Sequence, residues 1–447
     1  MQARANRPAL RPLSTESRIC IIGAGPAGLT AAVEYQRRGF RNIVVLERSP
    51  RVGGRCQTTA RGSDLGAVAW VPWYFNEVTA LSDQLGIERE WVPFPVSYSI
   101  ERGRATWPFD TRQLARAGIE GARYLANYRR HWRGVSGPAI TQVSPELQQS
   151  YASFLRNEGY QSLGEAGRVQ TSGYGYRWDA PALYNVRYIA PRAILGKGVS
   201  LLLPQSLGGG TGLGFWKGGT QQIWEKLVAR EHLDVRTGVE LTSIRRSSDG
   251  VEVRIGAVSG PRSLLFDAIV LACNPRSLLT VLDATEDERR LYGCIRTYDY
   301  RTYECAVSNL GEGRRLYASF RENVAADRVD RPLVLFKRAI ENNLCVFYVN
   351  ASGAATDDAI VDNIAADLRR IGAKLDEVTA SAHFAYAPHV DSDTLARGFF
   401  AEVDALQGKN RTIAVGAAFT FDILAQVVPQ ARDMVRRHVI GELAGDR

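Results

Sequence analysis

Residues 18–47 read RICIIGAGPAGLTAAVEYQRRGFRNIVVLE, and this stretch decides the fold at the N-terminal end of the chain. A short apolar run is followed by a glycine-rich turn and then by small and apolar residues at helical spacing, which predicts a strand, a tight turn and a helix. In such a turn Gly23 permits the bend, Gly25 lets the backbone approach an anion, and Gly28 lets the helix pack against the strand. The pattern therefore predicts a phosphate site at the helix N-terminus.

The residues after the turn indicate that the ligand is a dinucleotide. Pro26 and Ala27 belong to the first helical turn, where the missing N–H of a proline is not needed. A second apolar run ends in Glu47, about 20 residues beyond the glycines, where a carboxylate binds the ribose hydroxyls. A carboxylate repels a 2′-phosphate, so the pattern indicates FAD or NAD. We count the following Arg48 among the predicted nucleotide contacts.

The next segment, SPRVGGRCQT, favours FAD. Gly53 and Gly54 allow another close backbone approach, and Arg55 can neutralise phosphate or reach the flavin side. This pattern resembles the glutathione-reductase-type flavoproteins and, among them, the amine-oxidase branch. The segment DLGAVAW (64–70) fits the same resemblance as a strand and turn beneath the cofactor. No cysteine or histidine lies in a motif that tethers a flavin, so we expect non-covalent FAD.

Composition excludes several classes of protein. The 447 residues carry a formal charge of +9, but the basic residues are scattered arginines without a block, so we expect no nucleic-acid partner. The N-terminal residues contain no signal peptide, and the chain contains no apolar run long enough for a membrane helix, which predicts a cytoplasmic protein. Six cysteines without a CxxC pair read as reduced thiols, and we expect no metal site.

The rest of the chain predicts an α/β fold in which a Rossmann-like FAD-binding domain is interleaved with an α+β substrate domain and a helical cap. Long amphipathic stretches between 108 and 167 predict the cap, whereas alternating segments from 276 to 388 predict antiparallel strands. The sequence LDVRTGVELTSIRR predicts a strand that forms a hairpin with VEVRI around Asp249 and Gly250. We assign 18–95, 205–275 and 395–447 to the FAD-binding domain, 96–204 and 276–394 to the substrate domain, and 1–17 to a flexible arm.

Most of the chain resembles the polyunsaturated fatty acid double-bond isomerase branch of the FAD-dependent amine oxidases. Beyond the N-terminal motif, the resemblance rests on GYGYRWDAPALYNVRYI, FWKGGTQQIWEKL, YAPHVDSDTLARGFF and the strand before Gly416. It implies that Val235 meets the adenine through its backbone. The FAD contacts implied by the resemblance are Gly23, Gly25, Gly28, Glu47, Gly54, Arg55, Val235 and Gly416.

The chain departs from this family at two places. Where the superfamily has an acid just after the C-terminal glycine, this chain has Ala417, Ala418 and Phe419, so we expect backbone N–H groups and a helix end to hold the cofactor there. Where the isomerases have an arginine for the fatty carboxylate, this chain has Pro95 and Val96. A polyene or another apolar alkene is therefore as compatible with the sequence as a free fatty acid.

The resemblance implies hydride transfer to flavin N5 from an apolar small molecule, and we expect a redox-neutral isomerase. An oxidase or desaturase that uses oxygen is the alternative, and a flavin-holding protein without turnover is a third reading. The glycine-rich tract 208–214 lacks the context of a second dinucleotide site. Segment 173–216 is aromatic and can either line a tunnel or form ordinary core. The catalytic candidates are Lys217, which could assist oxygen, and Trp216, Tyr174 and Tyr176, with Trp178 and Phe215 as further wall residues.

Overall fold

The fold is described from a computed structural model, which describes residues 13–70, 74–93, 96–106, 111–136, 140, 142–174, 176–191, 194, 212–256 and 262–443. Most of the expected N-terminal arm, Pro95 and residues 208–211 of the glycine-rich tract lie outside these ranges.

The described chain alternates between helices and strands. The strands are β1 (Arg18–Ile22), β2 (Asn42–Leu46), β3 (Arg89–Pro93), β4 (Val96–Ser99), β5 (Arg104–Thr106), β6 (Gly212–Trp216), β7 (Asp234–Arg236), β8 (Leu241–Arg246), β9 (Val251–Ile255), β10 (Arg262–Phe266), β11 (Ala268–Leu271), β12 (Arg296–Ser308), β13 (Leu316–Phe320), β14 (Pro332–Lys337), β15 (Leu344–Ala351), β16 (Lys374–His389) and β17 (Thr412–Ala414). The α-helices are α1 (Pro26–Arg37), α2 (Asn76–Gln84), α3 (Thr111–Asn127), α4 (Pro145–Gln148), α5 (Tyr151–Asn157), α6 (Gln161–Tyr174), α7 (Ala182–Tyr188), α8 (Gln221–Arg230), α9 (Glu286–Gly293), α10 (Arg321–Ala325), α11 (Asp357–Arg370), α12 (Ser392–Ala396), α13 (Phe399–Leu406) and α14 (Leu424–Leu443).

A parallel sheet with the order β17-β11-β1-β2-β7 carries the N-terminal motif. Strand β1 is fully buried from Ile19 to Ile21, because the sheet is covered on both faces. Helix α14 packs along α1, and the buried carboxylate of Glu34 accepts hydrogen bonds from Arg38 at 3.1 Å and Arg436 at 2.8 Å. The predicted α/β fold is confirmed, and its parallel sheet is assembled from distant parts of the chain.

A second, seven-stranded sheet has the order β16-β12-β15-β14-β13-β4-β5 and is antiparallel except where β13 meets β4. Side chains alternate between its two faces. One face, which includes Phe347, packs against Ile360 and Ile364 of α11. The other face carries a cluster that includes Tyr300 and Tyr348. This second face is the one that supplies residues to the cavity described below.

The remaining elements cover these two sheets. The region from α3 to α7 is mainly helical and shares an aromatic core that includes Trp132 and Phe154, in agreement with the predicted cap. Strands β8, β9 and β10 form a small antiparallel sheet, with the predicted turn between β8 and β9. Within the described residues, no helix is long and apolar enough to cross a membrane.

Two local predictions from the sequence were wrong. The segment expected to be one strand from 233 to 246 divides at Gly238, whose φ of +67° ends β7 and lets β8 turn into its hairpin. Segment 64–70 forms isolated bridges at Asp64 and Trp70 rather than a regular strand. Gly66 explains the irregular path, because a Cβ there would lie 1.7 Å from the Arg55 carbonyl oxygen.

Candidate active site

A cavity of about 630 Å³ is lined by the turns that follow strands of the parallel sheet and by residues of the seven-stranded sheet. One end is formed by the glycine turns and Glu47, and we call it the nucleotide end. The other end carries aromatic and aliphatic side chains, and we call it the aromatic end. The residues that line the aromatic end include Val68, Tyr74, Phe75, Tyr188, Tyr300, Tyr317, Phe384, Tyr386, Ile423, Leu424 and Val427.

Glycines at the nucleotide end leave room for a ligand to touch the backbone. Gly23 has a φ of +110°, which a larger residue rarely adopts, and it lines the cavity beside the N-terminus of α1. A Cβ on Gly54 would lie 3.0 Å from the Cα of Gly25, so two glycine turns meet here. Gly28 is not among the described lining residues, and a Cβ there would lie 1.9 Å from the Gly23 carbonyl oxygen. Gly28 therefore serves the packing of α1 against the turn.

Glu47 lines the nucleotide end at the close of β2. One carboxylate oxygen accepts the N–H of Ala24 at 2.7 Å, and the other accepts the N–H of Ser49 at 2.8 Å. Each oxygen keeps a further lone pair, so the carboxylate is held in place and can still accept ribose hydroxyls. Arg48 also lines this end. Burial raises the pKa of the nearby Cys273 to about 12, which keeps this thiol protonated.

Strand β7 lies beside β2, with Val235 opposite Val45. The Arg236 carbonyl accepts the N–H of Glu47 at 2.8 Å, so β7 braces the predicted ribose ligand. Val235 itself is not among the described residues that line the cavity. Its contact with adenine stays a prediction from the resemblance.

The turn after β17 closes the cavity from the C-terminal side. Gly416 has a φ of +108°, and its N–H donates to the side chain of Gln430 at 2.9 Å. Gly416, Ala417 and Ala418 line the cavity, followed by Asp422 and the first residue of α14. The backbone of this turn and the first residue of α14 therefore line the cavity, and their contacts with FAD stay a prediction. Asp422, which no sequence motif indicated, adds a carboxylic acid to this part of the lining.

Arg55 reaches from the Gly54 turn toward the aromatic end. Its Nη1 donates a hydrogen bond to the Ala385 carbonyl at 2.9 Å and lies 2.7 Å from Oδ2 of Asp422. Its guanidinium carbon lies 5.7 Å from the centroid of the Tyr386 ring. Burial raises the pKa of Asp422, although the charge of Arg55 opposes this shift.

Tyrosine rings from separate elements form the aromatic end. The rings of Tyr300 and Tyr386 lie 4.6 Å apart, and Tyr188 at the end of α7 stacks on Phe421 at 5.2 Å. Burial raises the pKa of Tyr188, Tyr300 and Tyr386. These phenols are therefore neutral near pH 7, and they offer ring faces rather than a base.

Lys217 and Trp216, two of the predicted catalytic residues, lie elsewhere. Lys217 is on the surface, where its ammonium group lies 2.7 Å from the Glu88 carboxylate and both side chains are more than half exposed. This ion pair raises the pKa of Lys217, so the amine stays protonated. Trp216 is buried in the core beside Trp70. Neither is among the described residues that line the cavity, and we propose no catalytic role for them.

The other aromatic candidates are likewise absent from the described lining of the cavity. Tyr176 is buried, stacks on Tyr184 at 4.7 Å and donates a hydrogen bond to the Pro388 carbonyl at 3.0 Å. Phe215 packs on Phe336 at 5.3 Å. Trp178 lies on the cap, with the guanidinium of Arg168 3.6 Å above its ring. None of these three is among the described lining residues. The side chain of Tyr174 lies outside the described part of the chain.

Most of the tyrosines at the aromatic end were missed because they are far apart in sequence. Tyr188, Tyr300, Tyr317 and Tyr386 come from α7, β12, β13 and β16. Tyr188 lies in segment 173–216, which the sequence indicated as either a tunnel lining or ordinary core. The other three look like ordinary strand tyrosines, and their one signal was their position in the predicted substrate domain.

The site fits FAD by its chemistry. The glycine turns form a cradle that a Cβ would fill, Glu47 offers acceptors for ribose, and helix N-termini face the middle of the cavity. The aromatic end continues this cleft and can enclose a flat ring. Together these features fit an FAD-binding site.

The comparisons with known proteins give the family. Residues 26–291, more than half of the chain, match the model of the flavin containing amine oxidoreductases, and the chain belongs to this family. The FAD-dependent oxidoreductase oblC of Cochliobolus heterostrophus is 24% identical over 92% of this chain and 88% of its own length. These findings confirm the predicted cofactor, FAD, and show that the chain is an enzyme.

Solved structures show the same fold. A CLA-producing fatty acid isomerase from P. acnes superposes with a TM-score of 0.84 at 23% identity, covering 95% of this chain and 99% of that chain. A putrescine oxidase variant superposes with a TM-score of 0.68 at 14% identity, over 95% of this chain and 99% of that chain. At these identities the likeness establishes the fold alone.

Proposed function

We propose that this enzyme moves a hydride within an apolar, unsaturated small molecule and acts as a redox-neutral double-bond isomerase. The observation that carries the proposal is the chemistry of the aromatic end. Among the described lining residues Glu47 and Asp422 are the acids, and Glu47 lies at the nucleotide end while Asp422 is bound by Arg55. An ammonium substrate therefore finds no carboxylate without a cationic partner in the described part of the aromatic end.

The same inventory argues against a free carboxylate as the substrate's head group. The arginines among the described lining residues are Arg48, Arg51 and Arg55. Arg48 lies at the nucleotide end, Arg51 donates to the Gly54 carbonyl at 2.8 Å, and Arg55 is paired with Asp422. A neutral alkene buries its apolar surface here without leaving a charge unpaired.

Bound FAD supplies an acceptor that takes a hydride from a C–H bond and can return it. In the proposed reaction a C–H bond next to a double bond breaks, the double bond shifts, and the hydride forms a new C–H bond at another carbon. Substrate and product have the same composition, and no outside oxidant is consumed. Faces of Tyr188, Tyr300 and Tyr386 stabilise the positive charge that develops on the alkene. The surrounding apolar side chains exclude water from it.

Oxidation or desaturation is the second candidate. Membership of the flavin containing amine oxidoreductases and the likeness to putrescine oxidase support it. In that case two hydrogens leave the substrate, and oxygen takes the electrons and forms peroxide.

Oxygen dependence separates the two candidates. The purified holoenzyme is incubated without oxygen with a methylene-interrupted polyunsaturated fatty acid, with its neutral methyl ester and with a diamine, and products are read by mass spectrometry. We expect many turnovers per flavin on the ester, a product of unchanged mass, and no peroxide in air. One turnover that stops with bleached flavin and resumes with peroxide in air would establish an oxidase instead.

A pair of variants tests the ring faces. Tyr188→Phe keeps the ring that stacks on Phe421, whereas Tyr188→Leu removes it. We expect the phenylalanine variant to retain turnover and the leucine variant to lose at least about tenfold in kcat, because one cation–π contact in a desolvated site is worth roughly 2 kcal/mol. Equal rates for the two variants would contradict a role for the ring face.

A further inference from the structure

Arg55 and Asp422 form an ion pair inside the cavity, where the nucleotide end meets the aromatic end. Arg55 follows Gly54 of the cofactor-binding turn, whereas Asp422 lies two residues before α14. The 2.7 Å contact between them and the 2.9 Å hydrogen bond to the Ala385 carbonyl join three distant segments of the chain. The guanidinium therefore has a defined place between the predicted pyrophosphate site and the tyrosines.

Only one carboxylate oxygen of Asp422, Oδ2, makes a polar contact within the described residues. Its Oδ2 accepts the N–H of Ala387 at 3.0 Å as well as the contact from Arg55. Ala387 has a φ of +50°, which is uncommon for alanine, so this hydrogen bond supports a strained turn at the cavity wall. The Asp422 side chain is only 11% exposed. A carboxylate this deeply placed stays ionised only with a cation beside it.

Both partners keep unused polar atoms. Within the part of the chain that the structure describes, Nε and Nη2 of Arg55 and Oδ1 of Asp422 make no hydrogen bond. Both residues line the cavity. Arg55 can therefore donate to the bound cofactor without breaking its contact with Asp422.

We propose that Asp422 is a positioning residue for the flavin, holding the Arg55 guanidinium at the cavity wall and offsetting its charge beside the redox-active ring. The inference rests on the proposed hydride transfer within this cavity. A positive charge near the ring favours the reduced form, which carries the added electron pair. An enzyme that returns its hydride is slowed when that form is too stable.

The test is the midpoint potential of the bound FAD, measured without oxygen against reference dyes and without substrate. Asp422→Asn removes the charge but keeps a side-chain oxygen for the Ala387 N–H. We expect its potential to rise by about 30 mV, the equivalent of a tenfold change in the ratio of reduced to oxidised flavin for a two-electron couple. Asp422→Glu, which keeps the charge, should restore much of the original value. Asp422→Ser carries the same test if the asparagine variant does not fold.

Two further variants separate this role from a general effect of charge. Arg55→Met should lower the potential, and in that background Asp422→Asn should add little, because a buried carboxylate without its cation takes up a proton. Glu88→Gln is the matched control, since it removes one negative charge from the exposed pair with Lys217. It should leave the potential unchanged.

An unchanged potential in flavin-replete D422N overturns the inference, as does an equal shift in E88Q or in D422E. Because no substrate is present, these outcomes do not depend on whether the enzyme is an isomerase or an oxidase. The anaerobic turnover test can fail while the shift in potential is observed, and the reverse also holds.

Discussion

At the scale of single residues, the Glu47 carboxylate combines two tasks. It fastens the glycine turn through the N–H of Ala24 and its own loop through the N–H of Ser49, and its remaining lone pairs can accept ribose hydroxyls. Replacing it therefore weakens the ligand contact and loosens the turn that presents the ligand. Hydrogen bonds to a charged group are worth more than neutral ones, so this residue carries more of the affinity than a glycine contact does.

We expect Glu47→Ala to weaken FAD binding by at least about tenfold, because each hydrogen bond to the carboxylate contributes roughly 1.5–3 kcal/mol. The measurement is a fluorescence titration of deflavinated protein with FAD. Glu101→Ala, in the exposed turn between β4 and β5, is the control and should bind normally. An unchanged dissociation constant in E47A would show that Glu47 does not bind the ribose.

At the scale of elements, the contact between α1 and the turn after β1 depends on the absence of one side chain. The helix approaches so closely that Gly28 faces the backbone of Gly23, and backbone cannot rotate away as a side chain can. Helix α14 presses on α1 from the other side, with Glu34 and Arg436 between them. Helix α1 is thus packed against both the Gly23 turn and α14.

Gly28→Ala should therefore lower the melting temperature and the FAD content, at a cost of about 1–3 kcal/mol for the forced overlap. Gly118→Ala is the matched control, because Gly118 lies in α3 with nothing within 4 Å of an added Cβ. The control should keep or slightly raise the melting temperature, since alanine favours a helix over glycine by about 0.5–1 kcal/mol. Thermal melts and the flavin absorbance of both proteins check this, and equal behaviour of the two variants would refute the packing argument.

At the scale of the whole molecule, the cavity lies between the turns of the parallel sheet and the seven-stranded sheet. Its lining residues come from the turns after β1, β2, β11 and β17, from the seven-stranded sheet and from the loop before α14. A cofactor that fills this cavity would add contacts between parts of the chain that already meet through polar bonds such as the pair of Arg338 and Asp64 at 2.8 Å. Folding and cofactor binding are therefore coupled.

Deflavinated protein should melt at a lower temperature than the holoenzyme, and FAD at one hundred times its dissociation constant should add about 2.7 kcal/mol to the free energy of unfolding. FMN, which lacks the adenosine ribose that Glu47 is predicted to bind, should stabilise the protein much less. Thermal melts at increasing concentrations of each nucleotide make the comparison. Equal stabilisation by FMN would mean that the nucleotide end contributes nothing.

The sequence signal for the nucleotide end is local. A strand, a glycine turn, a helix and an acid lie within 30 residues, and each glycine has a backbone reason that is visible in the letters. The α/β fold and FAD were confirmed, whereas every individual contact with the nucleotide, including those of Gly23, Glu47, Arg55 and Val235, stays a prediction. Lys217 illustrates the opposite case, because a position next to Gly218 in sequence says nothing about which way a side chain points.

By itself the sequence determined the parallel sheet around β1, the cofactor class and the alternation of helical and extended regions, because each depends on spacing over a few turns of chain. Only the tertiary structure decided which residues meet at the aromatic end. Tyr300 and Tyr386 are brought together by the pairing of β12 with β16, Tyr188 joins them from α7, and Asp422 reaches Arg55 across 367 positions of sequence. Contacts over such separations are set by how whole sheets pack, and no local pattern of residues encodes them.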